Sequence, residues 1–279
     1  MANENTEIFF HLGLTKVAST YFQQTVFPRL EGVTYFPKHQ FGRFRDPAVM
    51  QAEGKLLFST EKDRRIVDAV EEIVRMWPEA KVILFVRRHD DWLLSRYKYR
   101  IRKLGRESFS AFFDPENDRG LWKKEQLYLR PKIEAIEKLC KRPPLVLTHD
   151  LLKEDPGEFM RRFTTYMGTS VRPGTIRRSP VHTAFSEKQL IILRRWNRFH
   201  RYRARESGSS LTRKIQRKYF EFALHTVAFF AQFIPRRMIR ESSLLTAADR
   251  QALLKVKTLY AADWEFCREH YRSRFRGEG

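Results

Sequence analysis

The chain has 279 residues, 42% hydrophobic and 14% aromatic with 23 phenylalanines; this is enough to fill one large core and excludes disorder over the whole length. Its 54 Lys and Arg stand against 33 Asp and Glu, a net charge of +21, so the expected partner is anionic: nucleic acid, acidic lipid headgroups, or a small phosphorylated ligand with an anionic acceptor. Only Cys140 and Cys267 occur, and the 8 histidines fall in no metal-ligand spacing, which excludes a disulfide framework and predicts no metal site.

The N-terminus, MANENTEIFF, is polar and predicts no secretory signal. No apolar run reaches the roughly 18–20 residues that span a bilayer. A cytoplasmic protein is expected, soluble or peripheral at the inner face of the membrane. Residues 8–12 read as a buried strand, VTYF (33–36) as a second and KLLFST (55–60) as a third. Ile66, Val67, Val70, Ile73, Val74 and Trp77 then recur with helical spacing, with Asp63 near the start and Pro78 past the end. KVILFV (81–86) is the clearest strand, followed by helical stretches after 89 and through about 121–140. LVLT (145–148) is a further buried strand, and Pro156 opens a helix to about Met167. From about 185 onward the pattern is helical.

Continuous apolar strands alternating with amphipathic helices predict an α/β fold with a central parallel sheet covered on both faces. The expected division is an α/β core over 1–184 and a helical C-terminal region over 185–279 packed on it. Parallel sheets bind ligands beyond the carboxyl ends of their strands. Gly13–Thr20, Ser59–Glu61 and Arg87–Ser95 are therefore expected on one rim. The first of these segments is laid out as strand, glycine, lysine, hydroxyls and helix. That order suits an anion cradle, in which backbone N–H groups, the helix dipole and Lys16 all favour negative charge. It is not the nucleotide-binding pattern GxxxxGK[ST], because no hydroxyl follows the lysine to hold magnesium. After the 81–86 strand, Arg87 and Ser95 lie eight residues apart, placed to hold one phosphate between a forked donor and a compact one.

With those segments in view, the chain resembles the sulfotransferases that use 3′-phosphoadenosine 5′-phosphosulfate (PAPS), in particular their small bacterial members. LTKVAST (14–20) resembles the family's 5′-phosphosulfate loop, and RRHDDWLLSRY (87–97) its 3′-phosphate segment, with Arg87, Ser95 and Tyr97 in register. THDLLKEDP (148–156) and FSEKQLIILRRWNRF (185–199) resemble further family stretches, so the likeness covers roughly residues 8–200. Two positions depart: Ala18 stands where the loop has glycine, and His89 where the segment has proline. Losing the glycine removes freedom for close backbone approach.

The resemblance implies a nucleotide-binding fold of the P-loop kind and transfer of a sulfuryl group from PAPS to a hydroxyl or amine, leaving adenosine 3′,5′-bisphosphate (PAP). Gly13, Lys16, Val17, Ala18, Ser19 and Thr20 would cradle the 5′ side, and Arg87 and Ser95 the 3′-phosphate. Lys16 would also neutralise charge on the leaving oxygen; no metal is implied. Glu61, ending the third strand, is the first choice as general base; its other reading is a cap for the helix that follows. His11 is the second choice, against a reading as a core histidine. The acceptor is left open among carbohydrate, glycolipid, lipid and small phenol, the basic surface favouring an anionic glycan or a headgroup-bearing lipid; a homodimer is left open.

Two features stay unabsorbed. Residues 191–220 carry ten Lys and Arg against Glu206 alone, with a Gly/Ser patch at 207–210, and the nearly apolar YFEFALHTVAFFAQFI (219–234) follows. The 212–240 stretch reads either as an interfacial membrane element or as core or dimer packing through Phe220, Ala223, Leu224, Val227 and Phe230. Taken at face value, the charge offers a second class of function, a basic protein binding nucleic acid or a membrane surface without catalysis, although no nucleic-acid-binding motif is present.

Overall fold

The computed structural model describes residues 5–172, 185–199, 210–239 and 243–273. Five strands, β1 (Thr6–Gly13), β2 (Val33–Phe36), β3 (Gly54–Glu61), β4 (Lys81–Val86) and β5 (Leu145–Thr148), form one parallel sheet in the order β2-β3-β1-β4-β5. The helices are α1 (Ser19–Tyr21), α2 (Pro47–Met50), α3 (Ile66–Met76), α4 (His89–Arg102), α5 (Phe109–Phe112), α6 (Arg130–Leu139), α7 (His149–Glu154), α8 (Pro156–Met167), α9 (Glu187–Phe199), α10 (Ser210–Ala231), α11 (Ala247–Leu259) and α12 (Ala261–Ser273). The expected parallel α/β architecture flanked by helices is the one observed. It divides into two compact units, Met1–Trp92 with Glu125–Val181 and Lys257–Gly279, and Leu93–Lys124 with His182–Val256.

In the first unit the phenylalanines fill both sides of the sheet. On one side Phe58 stacks on Phe36 at 4.3 Å and on Phe10 at 5.3 Å, with Phe44 set edge-on against Phe10. On the other, Phe85 meets Phe22 and Phe159 edge-on, and Phe27 stacks on Phe163 at 5.6 Å. Strands β1, β3, β4 and β5 read as nearly unbroken apolar runs because neither face meets water over most of their length, whereas β2, at the sheet edge, is half-exposed. Helix α8 stops where Gly168 takes a left-handed conformation, φ 58°.

The helix expected through about 121–140 is shorter in the structure. Trp122 forms an isolated bridge with Phe113, Glu125–Leu127 make one 3-10 turn, and only Arg130–Leu139 are α-helical. Pro131 explains this: it lacks an N–H and fixes φ, so it belongs in a first turn and cannot lie inside a longer helix.

In the second unit, α9 is held by buried polar groups. The Arg194 guanidinium donates to Tyr97 Oη at 2.8 Å and to the Leu244 carbonyl at 3.1 Å. Asn197 donates to the carbonyls of Ile101 and Gly105, at 2.9 and 2.8 Å. Helix α10 packs on α9. Leu224, Ala228 and Ala231 are buried and Phe220, Ala223 and Val227 half-buried, whereas Phe230 is exposed, contrary to its expected packing role. The Gly/Ser patch (residues 207–209), residues 200–206 of the basic run and the segment leading to the expected boundary at 184 lie outside the described residues.

Candidate active site

Strand β1 lies at the centre of the sheet, and its end is where the connections part: the chain leaves β1 toward β2 on one side and β4 toward β5 on the other. Register puts Gly13 level with Glu61 of β3 and with Phe85 of β4. The ends of these three strands thus share one rim, the crevice in which open parallel sheets bind ligands. A Cβ on Gly13 would come within 3.3 Å of the Phe85 carbonyl oxygen and 3.4 Å of His11 Nε2, so glycine lets the chain leave β1 between them.

The loop that follows has an unusual backbone. Lys16 and Ala18 both take φ 68°, Val17 between them does not, and Ser19 begins α1. Ala18 in the left-handed region, followed by Ser19 at the start of a right-handed helix, is the pairing that turns successive N–H groups toward one concavity, a nest for anionic oxygen. Helix α1 is a single turn running into a π turn, Phe22–Val26, so the nest, more than a long helix dipole, supplies the field expected there. A left-handed residue with a Cβ costs about 1 kcal/mol or more. Ala18, at the position where the sequence departs from glycine, sits in the conformation glycine favours. Ala18→Gly should therefore raise stability by about 0.5–1 kcal/mol, read as a higher urea midpoint. An unchanged or lower midpoint would show that the loop is not strained at that residue.

Four contacts hold the loop from outside. Asp63 accepts from the Thr15 N–H at 2.7 Å and from its hydroxyl at 3.1 Å. Trp92 Nε1 donates to the Thr15 carbonyl at 2.9 Å, and Arg87 Nη1 donates to the Lys16 carbonyl at 3.0 Å. Asp63 lies near the start of α3, as expected, but its side chain serves this loop; the N-cap is Arg65, which makes no side-chain cap bond. Nor does Glu61 cap α3; it receives Lys38 Nζ at 3.1 Å. Val17 and Ser19 are buried, while Lys16, Ala18 and Thr20 are half-buried. Among the described residues, two buried polar atoms here have no hydrogen-bond partner: Ser19 Oγ and Arg87 Nε. Burial pulls the Arg87 guanidinium below its ordinary pKa, opposed chiefly by Asp91 and Asp150. A half-desolvated cation, an orphaned hydroxyl and a nest on one rim fit a phosphate or sulfate group.

His11 lies beneath this rim, fully buried, with Nδ1 2.8 Å from Ser59 Oγ, and burial pushes its pKa down to about 3. His89, in the position where proline was expected, is also buried; it stacks on Tyr260 at 4.5 Å and its Nε2 lies 2.9 Å from Asp263 Oδ2. A small recess opens beside the loop, lined in part by Asp63, Arg87, Trp92 and Lys132. Burial lowers Lys132 to about 8, against the opposing pull of Asp263 and Asp63. Asp63 and Lys132 carry no motif, and their part in the site shows only in three dimensions. Ser95 is half-buried on α4 and falls in the second unit.

No protein-family model matches the chain, and no curated protein matches it in sequence. Solved structures do. A sulfotransferase from Alicyclobacillus acidocaldarius superposes with a TM-score of 0.50 at 15% identity, over 64% of this chain and 88% of that one. Mouse sulfotransferase SULT7A1, complexed with PAP, gives 0.40 at 14% identity, over 63% of this chain and 62% of that one. The chain has the sulfotransferase fold. That statement rests on the bacterial structure. Among the described residues, no group of three or more His, Cys, Asp or Glu is placed to hold a metal, and no helix is long and apolar enough to cross a membrane.

Proposed function

We propose that the chain is a sulfotransferase that takes its sulfuryl group from PAPS. The observation that carries this reading is the Gly13–Thr20 loop, with its nest and orphaned Ser19 hydroxyl, pinned against Arg87 at the crevice of a sulfotransferase-type sheet. When bound, PAPS would supply the sulfuryl group and leave as PAP. Ser19, Thr20 and the loop N–H groups hold the 5′ side. Lys16 places positive charge where the leaving oxygen gains negative charge, which is how a preorganised site lowers the barrier of a loose in-line transfer. Arg87 and the Ser95 hydroxyl are assigned to the 3′-phosphate on the sequence resemblance alone.

Glu61 is the general base in this reading. It leaves β3 level with Gly13 on the rim, only partly exposed, and Lys38 orients it. His11 is assigned to packing, because a neutral imidazole sealed in the core has no path to an acceptor. The acceptor is a hydroxyl or amine of a carbohydrate, glycolipid or lipid.

The test is calorimetric titration of PAP into wild type and Lys16→Ala at about 0.3 M salt, where diffuse attraction to the basic surface is screened. Micromolar binding by wild type, weakened at least about tenfold in the variant, is the expected result. Absence of wild-type binding, or equal binding by the variant, would overturn the assignment of this loop.

A further inference from the structure

Helix α10 carries two apolar faces. Leu224, Ala228 and Ala231 form the buried one. Ile215, Tyr219, Phe222, Phe229 and Phe230 fall within a sector of roughly 100° on the opposite side, at 100° per residue. These five, with Phe233 in the turn that follows, are 56–71% exposed. Met238 extends the apolar surface at 68% exposed. Monomeric soluble proteins seldom present so many large apolar side chains on one element. Around them are cations: Lys218, Arg236 and Arg237 are exposed, and residues 210–239 hold six Lys and Arg against the single acid Glu221.

We propose that the exposed face of α10 and the Phe233–Met238 segment lie on an anionic membrane surface, with the aromatic side chains in the acyl boundary and Lys218, Arg236 and Arg237 at the headgroups. Charge decides the occupant. A second copy of this chain would bring the same cations, on a molecule of net charge +21, against themselves. An anionic bilayer neutralises them while covering the phenylalanines. Helix α10 is too polar to cross the bilayer, so it lies in the interface plane. This inference is independent of the sulfotransferase reading.

The test is co-sedimentation of the full chain with phosphatidylcholine vesicles, with and without about 30% phosphatidylglycerol. Wild type should pellet with the anionic vesicles and partition at least about tenfold less onto neutral ones. Phe229→Ser with Phe230→Ser and Phe233→Ser, which leaves the net charge unchanged, should lower partition at least about tenfold. A second variant, Arg236→Ser with Arg237→Ser, keeps the aromatic face and should lose most of the preference for anionic lipid. The changed side chains are exposed, and circular dichroism checks that each variant folds. Three results would overturn the proposal. Wild type could stay in the supernatant. The triple variant could bind as well as wild type, making net charge alone responsible. Or light scattering could show a wild-type dimer that the triple variant dissolves, making a second copy the occupant.

Discussion

Acidification from pH 7 to 5 is expected to destabilise the folded chain by about 2 kcal/mol through His11 alone. The unfolded chain binds a proton at His11 with the ordinary value of 6.5, whereas burial holds the folded imidazole at about 3. Between those values only the unfolded state takes up the proton, so the stabilisation is fully present above pH 6.5 and is lost as pH falls. The slope approaches about 1.4 kcal/mol per pH unit, and the whole interval amounts to about 4–5 kcal/mol. His149 adds to it. Burial, with Arg87 and Lys153 nearby, lowers it to about 4. Carboxylates contribute little above pH 5, since their unfolded values lie near 4. Urea midpoints of wild type and His11→Gln at pH 7, 6 and 5 separate the contributions. The variant can be less stable throughout and still pass, because the readout is the slope, which should fall by about half. Parallel curves would mean that His11 is not sealed in the folded state.

That imidazole also shows where sequence reading stops. The strands at 8–12, 55–60, 81–86 and 145–148 were legible because a strand buried on both faces must be a nearly unbroken apolar run, and position 11 reads as part of one. Nothing in that run tells a packed histidine from a catalytic one; the difference is made by Ser59 and Phe85 on neighbouring strands. The loop was legible for a related reason. Glycine, lysine and paired hydroxyls at a strand end form a local pattern, and local backbone geometry then realises it.

Asp63 was visible only as a residue near a helix start, since what it binds, Thr15, lies 48 positions earlier. Lys132 has no sequence signal at all, because its lowered pKa is a property of the walls around it. The outer face of α10 was ambiguous for a different reason. YFEFALHTVAFFAQFI is apolar almost all round, and only tertiary packing shows which side α9 covers. The helix expected through about 121–140 holds only over Arg130–Leu139, because Pro131 carries a fixed conformational demand that places it in a first turn.

Asp263→Ala is expected to cost about 3–5 kcal/mol, a large fraction of the roughly 5–15 kcal/mol that holds a domain folded. One buried carboxylate serves three groups in the first unit. Its oxygens accept from the Leu129 and Arg130 N–H groups, both at 2.9 Å, at the start of α6, and Oδ2 lies 2.9 Å from His89 Nε2 at the start of α4. Burial alone would raise the Asp263 carboxyl, but His89 and the two N–H donors outweigh it and hold it below its usual value. Because the folded value is depressed, this stabilisation is present above the ordinary carboxylate range and fades as pH falls below it. Alanine removes the acceptor and strands two N–H groups and an imidazole away from water, each costing about 1–3 kcal/mol. A loss under about 1 kcal/mol in urea melts would mean that water re-satisfies them, and that this contact does not tie α12 to the starts of α4 and α6. Asp263→Asn separates charge from shape. Its amide oxygen can still accept from one N–H, so an intermediate loss is expected. A loss equal to that of alanine would show that the negative charge facing His89, more than the two backbone bonds, holds the three helices together.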